Sequence, residues 1–257
     1  MLIRFLGAHN AESKDTSFVS FLIDDILAVD AGSLASNLSL SEQRKIKAIL
    51  LSHGHYDHIR DVPSFAFNNF DHTVKVFASA HTLNILSSHL VDGIIYPEFT
   101  KTIPFFLEKP SLKYVNLETF KTVNIEGYKV LTLPVNHTIA TVGFQITSKD
   151  GKKIFYTGDT GPGLSALWEH ISPDLIVVDV TFPNRLENRA INSAHLCPKF
   201  LKKEMLEFHQ IKGYFPQVVI IHLSPNLENE IKNEIEDFNK ELKIPISIAY
   251  EGQKLIV

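Results

Sequence analysis

The sequence predicts an α/β fold, a four-layer αββα sandwich, and three observations predict it. Short apolar runs rich in β-branched and aromatic residues come in two successive sets, one before residue 80 and one after residue 111. Segments with helical spacing accompany both sets. Several runs stop abruptly at a polar residue, as buried strands of a covered sheet do. Two sets of strands with helices attached fit two packed sheets flanked by helices. At 257 residues the chain is read as one domain, 1–257, since layered folds reach this length undivided.

In chain order, the first strands are "LIRFL", "FVSFLI", "ILAVD", "IKAILLS" and "TVKVFAS". "FVSFLI" and "ILAVD" flank an Asp-Asp pair and form a hairpin. A helix covers residues 80–90. Residues 91–110 have no clear period but hold Tyr96, Phe99, Phe105 and Phe106, which suit a packed loop, a pocket wall for a base, or a homodimer contact. Strands follow at 112–117, 120–125, 128–135, 140–147 and 152–157. "SPDLIVVDVTF" and "YFPQVVIIHLSP" read as buried strands. Between them, residues 197–212 form a helix with Pro198 at its start and Phe200, Leu201, Met205, Leu206 and Phe208 on its apolar face. "NLENEIKNEIEDFNKEL" is a charged amphipathic helix, and "ISIAYEGQKLIV" closes the chain as a hairpin-like pair.

Composition narrows the function. The balance of 25 basic and 29 acidic residues gives a net charge of −4, which offers no whole-chain attraction to nucleic acid or anionic membrane. No run approaches the length of a membrane span, and "MLIRFLGAHN" is too short for a signal-peptide core, so the expected location is cytoplasmic. Cys197 is the only cysteine and can form no internal disulfide; without a base and orienting group beside it, it reads as a packing residue at a helix start.

The chemistry gathers at "SHGHYDHIRD", where a strand ends. His53 and His55 alternate in an extended stretch and can face one metal ion, and Asp57 and His58 can reach a second. Imidazole and carboxylate suit Zn²⁺, and also Mn²⁺ or Fe²⁺. His137 in "LTLPVNHT", Asp159 in "KIFYTGDTGPG" and His222 in "VVIIHLSP" each follow an apolar run and could reach the same rim. His195, ahead of Pro198, is free to act as a proton donor, and Asp179, at the end of "LIVVD", can accept its second N–H. His9 lies on a loop after the first strand and could approach the site; His72, His81, His89, His170 and His209 read as structural or surface residues.

This pattern resembles the metallo-β-lactamase superfamily, whose His-x-His-x-Asp-His motif matches residues 53–58. The resemblance implies a first metal on His53, His55 and His137, a second on Asp57, His58 and His222, and a bridging Asp159. It implies hydrolysis, since no glutamate replaces His55. "TSFVSFLIDDILAVDAGSL", "PVNHT", "TGDTGP", "VTFPNR", "AHLCPKFL" and "IHLSP" together are similar to the class II 3′,5′-cyclic-nucleotide phosphodiesterases in their bacterial form, with Ala194, Cys197 and Tyr56 as departures. The implied activity is hydrolysis of cyclic AMP or cyclic GMP to the 5′-monophosphate. Two ions would activate a water and neutralise phosphoryl charge. Asp57 would bind metal and accept a hydrogen bond from that water, and His195, oriented by Asp179, would protonate the leaving oxygen. The implied partner is a small nucleotide, with no membrane and no nucleic acid. The alternatives are a tRNA 3′-processing endonuclease, a thioester or lactone hydrolase, and a silent binding protein on the same fold.

Overall fold

Asp24 and Asp25 adopt φ of 49° and 57°, the left-handed centre of a tight turn that the Ile26 amide closes on the Ile23 carbonyl at 3.1 Å. They join β2 (Ser20–Ile23) to β3 (Leu27–Val29), which pair antiparallel. The structure, a computed structural model, describes residues 1–257 except Phe105 and Leu107. β1 (Leu2–Gly7) pairs antiparallel with β2, and β4 (Ala48–Leu50), β5 (Val74–Ala78) and β6 (Leu112–Asn116) continue the sheet in parallel from β3. The second sheet repeats that succession. β7 (Thr122–Ile125), β8 (Tyr128–Val135), β9 (Thr141–Thr147) and β10 (Lys153–Tyr156) form an antiparallel meander. β11 (Leu175–Asp179), β12 (Gln217–Ile221) and β13 (Ile246–Ile248) extend it in parallel.

The αββα expectation holds, and its layers follow from which side chains are buried together. Phe5, Phe21, Val29 and Leu50 meet Phe144, Ile154, Tyr156 and Val177 between the two sheets. The other face of the first sheet packs Ile49, Val76 and Leu112 with residues of α3 (Val62–Asn68) and α4 (Ala80–His89), while α1 (Leu40–Gln43) and α2 (Tyr56–Ile59) lie in the connections. The outer face of the second sheet packs Ile176, Val178 and Val218 with α6 (Pro198–Lys212) and α7 (Glu228–Leu242), preceded by the short α5 (Glu187–Asn192). On α6 the core-facing residues are Leu201, Met205 and Phe208, at helical spacing. Leu206, expected on that face, is 42% exposed, because one further residue rotates the side chain past the stripe.

The C-terminal segment corrects the expected hairpin. β13 pairs with β12 in the second sheet, whereas β14 (Lys254–Ile256) pairs antiparallel with β1 in the first. The turn between them crosses the sandwich, and its Glu251 carboxylate accepts from the Ser17 amide and meets His9 Nδ1 at 2.7 Å. Glu228, at the start of α7, meets His9 Nε2 at 3.3 Å. His9 is therefore a buried cross-tie between chain segments.

Burial lowers the His9 proton affinity, but Glu251 and Glu228 outweigh it and hold the imidazole above its ordinary value. Burial raises that of Glu251, but His9 and the Ser17 amide outweigh it and hold it below. The His9 contribution is therefore present below about pH 6.5 and fades as pH rises through the raised folded value. The Glu251 contribution is present above about pH 4.3 and fades as pH falls through the lowered one. His9→Gln should thus lower stability most near pH 5.5 and less at pH 8.5, read from urea midpoints. A deficit that stays constant with pH would show that charge plays no part in the tie.

Candidate metal centre

Strand ends bring the ligand-type residues together. His53 and His55 follow β4 on the loop into α2, which carries Asp57 and His58. His137 follows β8, Asp159 follows β10, Asp179 ends β11 and His222 follows β12. His195 lies in the turn before α6. Two glycines permit the crowding. A Cβ at Gly32 would fall 2.0 Å from the Asp57 carbonyl oxygen, and Gly158, at φ +62°, would press on Ser52 at 3.0 Å.

The donors form two groups that share Asp159. In one, His55 Nδ1 lies 3.1 Å from both His53 Nε2 and His137 Nε2, and Asp159 Oδ2 lies 3.6 and 3.9 Å from those two Nε2 atoms. In the other, His222 Nε2 lies 3.2 Å from Asp57 Oδ2 and 3.2 Å from Asp159 Oδ2. His58 Nε2 stands 3.3 Å from Asp159 Oδ1 and 3.6 Å from Asp57 Oδ2. Tetrahedral Zn²⁺ with bonds of about 2.0–2.1 Å spaces its ligand atoms by about 3.3 Å, close to these separations.

The protons give a stricter test of fit. Ser52 Oγ donates to Asp30 Oδ2 at 2.8 Å, so at 3.0 Å it accepts from His53 Nδ1. His58 Nδ1 donates to Asp30 Oδ2 at 2.7 Å, and His137 Nδ1 to the Ala194 carbonyl at 3.0 Å. When such a ring is neutral, as ligation of a cation requires, its proton therefore stays on Nδ1 and Nε2 is left free to face the centre. His58 Nε2 and Asp159 Oδ1 are buried without a hydrogen-bond partner, a defect that costs about 1–3 kcal/mol for each group. A divalent cation in each group would satisfy these atoms, and the mixed imidazole and carboxylate set suits Zn²⁺, Mn²⁺ or Fe²⁺.

Charge is tightly balanced here. Burial, and then the neighbouring His58 and His137, push the His53 imidazole well below its ordinary value. Burial also acts against charge on His58, but Asp159, Asp57 and Asp30 outweigh it and hold that ring well above. His222 is held at about 10 against burial, chiefly by Asp159, with Asp179 and Asp57 adding to it. Burial favours a neutral Asp57, but His58 and His222 prevail and hold its carboxyl below the usual range.

Next to the two groups, His195 Nδ1 meets Asp179 Oδ2 at 2.6 Å, and its ring stacks on His222 at 5.0 Å. Asp179, His195, His222 and Asp159 are also close enough to hold an ion, but both Asp179 oxygens already accept hydrogen bonds, from Thr181, His195 and the Thr160 amide. This cluster is better described as an orienting group. Against burial, Asp179 raises the proton affinity of His195.

Sequence reasoning missed Asp30, Ser52 and Thr181. Asp30 carries the same signal as the residues it found, a polar stop to an apolar run; Thr181 carries none of its own. The expected aromatic wall is corrected in part. Phe99 is fully buried in the outer core of the first sheet, and Tyr96 hydrogen-bonds Ser64 there; Phe106 stacks on Phe67 and Phe70, and Phe105 lies outside the described residues. A groove of about 460 Å³ instead adjoins His137, lined by Ser79, Thr119, Thr138, Thr141 and the apolar Val135 and Ile139.

Residues 21–223 match the family model described as a Beta-lactamase superfamily domain. A probable 3′,5′-cyclic-nucleotide phosphodiesterase of Yersinia pestis is 22% identical over 216 residues, 72% of this chain and 59% of that protein. The chain thus spans about half to three-fifths of the length of the curated relatives it matches. Unliganded yeast PDE1 aligns with a TM-score of 0.84 at 17% identity, over 100% of this chain and 99% of its own. Human tRNase Z, short form, aligns at 0.69 and 16% identity, over 100% and 99%.

The shared position of Asp159 sets an expectation for metal content. Protein reconstituted with excess Zn²⁺ should carry two ions per chain by elemental analysis, and Asp159→Ala should weaken both. Asp30→Asn should lower affinity roughly 10–100-fold by releasing His58 and Ser52. A chain that retains at most one ion would overturn the two-group reading.

Proposed function

The chain belongs to the beta-lactamase superfamily and is a hydrolase of that fold, and from this premise we propose that it is a metal-dependent phosphodiesterase that opens 3′,5′-cyclic AMP or cyclic GMP to the 5′-monophosphate. The observation that carries the reading is the pair of donor groups joined at Asp159 with the His195–Asp179 dyad beside them. Ions bound in these groups would supply a nucleophilic water at neutral pH and countercharge for the phosphoryl oxygens. His53, His55 and His137 would hold one ion, Asp57, His58 and His222 the other, and Asp159 both.

The remaining chemistry belongs to side chains. Asp57, less buried than its neighbours, can also accept a hydrogen bond from the attacking water. As the new bond to phosphorus forms, the bond to the 3′ oxygen breaks and that oxygen needs a proton. His195 is anchored through Nδ1, so its Nε2 is the atom that can deliver one. The groove beside His137 offers hydroxyls and apolar surface with no charged side chain, which suits a neutral nucleoside better than a second phosphate. The net charge of −4 likewise disfavours a long polyanion such as tRNA.

Two measurements test this. Steady-state kinetics on metal-loaded protein should show turnover of cyclic AMP or cyclic GMP. Efficient trimming of a precursor tRNA, or cleavage of a thioester, with both cyclic nucleotides intact at millimolar concentration would reject the assignment. His195→Ala should keep its metal and lose about 10²–10⁴ in kcat, with a smaller loss on a nitrophenyl diester, whose leaving group needs no proton. Equal losses on both substrates would remove His195 from proton delivery.

A further inference from the structure

Thr181 is 1% exposed and stands among four groups, the most distant being His195 Nδ1 at 3.3 Å. Its Oγ1 lies 2.6 Å from Asp179 Oδ1, 2.7 Å from His222 Nδ1 and 3.0 Å from the His222 carbonyl oxygen. A hydroxyl has one proton. The charged carboxylate at 2.6 Å is the strongest acceptor and takes it. Towards His222 Nδ1 the same oxygen is then an acceptor, so His222 carries its proton on Nδ1. In the neutral ring, the form that a bound cation requires, this leaves Nε2 free of a proton and facing Asp57 and Asp159 in the second donor group. The other oxygen of Asp179 accepts from His195 Nδ1 at 2.6 Å and from the Thr160 amide at 3.2 Å.

We infer that Thr181 is a positioning residue through which one carboxylate, Asp179, orients both a metal-holding imidazole and a proton-delivering one. The inference rests on the roles proposed above for His222 and His195. It assigns the two Asp179 oxygens different tasks: Oδ2 holds His195 directly, and Oδ1 holds His222 by way of the Thr181 hydroxyl. The stacking of the two rings, at 5.0 Å and 16°, fits a common support. Asp179 should therefore matter for metal affinity, although it is no ligand. His195, on the same carboxylate, should not.

The test is Zn²⁺ affinity of the full-length apoprotein, measured in competition with a chromophoric chelator. Thr181→Val keeps the shape and removes the hydroxyl; it should weaken one of the two binding events roughly 10–100-fold and leave the other within about twofold. Thr181→Ser should restore the wild-type value. Asp179→Asn should weaken the same event, and His195→Ala should leave both unchanged. Circular dichroism and thermal midpoints of the apoproteins report on folding. Should Thr181→Val fail to fold, the comparison of Asp179→Asn with His195→Ala decides alone. Wild-type affinity in Thr181→Val, or equal weakening by His195→Ala and Asp179→Asn, overturns the inference. A wild-type protein that binds no Zn²⁺ overturns the metal reading and this inference together.

Discussion

Asp30 has no access to solvent, and a buried carboxylate costs several kcal/mol unless donors surround it. Four do: the Ser52 amide at 2.7 Å, the Ser52 hydroxyl at 2.8 Å, His58 Nδ1 at 2.7 Å and the Tyr156 hydroxyl. Ser52 lies just beyond β4, His58 on α2 and Tyr156 at the end of β10 in the opposite sheet, so one charge fastens the two sheets together at the rim. The same charge fixes two imidazoles of the donor groups, His58 directly and His53 by way of Ser52. Packing of the sandwich and orientation of the donors are thus one network, and neither can shift without exposing the other to an unpaired buried group.

The two sheets explain why the donors converge. Each sheet is built as a meander followed by parallel strands, and parallel strands all release their chain at one end. The releases are sharp. Asp30, Ala194 and His222 adopt φ of 52°, 51° and 62°, a conformation that L-residues with a side chain adopt at a cost. All three lie at the centre or next to it, and each is held by a bond to another segment: Asp30 by its donors, Ala194 by accepting from His137, and His222 by its amide on the Ala8 carbonyl. Ala194 is also one of the departures noted in the sequence, and glycine is the residue that takes this conformation without strain.

Asp179 in the second sheet plays a part like that of Asp30 in the first. Each is a fully buried carboxylate at or just past a strand end, each is saturated by donors, and each aims imidazoles at the space between the sheets. Together they spread negative charge under a rim whose histidines would otherwise repel one another. Asp159 lies between them and serves both donor groups. The result is a centre backed on its protein side by buried carboxylates, with a hydroxyl-lined groove bordering it at His137.

How much of this was legible in the sequence follows from the range of each interaction. Strand and helix identity depends on local periodicity, so the strand segments, the Asp-Asp hairpin and α4, α6 and α7 could be read directly, whereas the strand at 112–117, grouped by its place in the chain with the second set, pairs with β5 at the edge of the first sheet. His53, His55, Asp57 and His58 could be read because their spacing is itself local, and His137, Asp159 and His222 because each breaks an apolar run. Partner choice was not legible. The last two strands look like a hairpin, yet they join different sheets, since period-two alternation says which face is buried and nothing about which neighbour is paired. Nor could a sequence rank Phe99 as core and Ser79 or Thr119 as groove, because that depends on which layer covers them. Thr181 is the clearest case. Its role comes from one hydroxyl lying within 2.7 Å of both a carboxylate two residues away and an imidazole 41 residues away, and only the packed strand ends bring those three groups together.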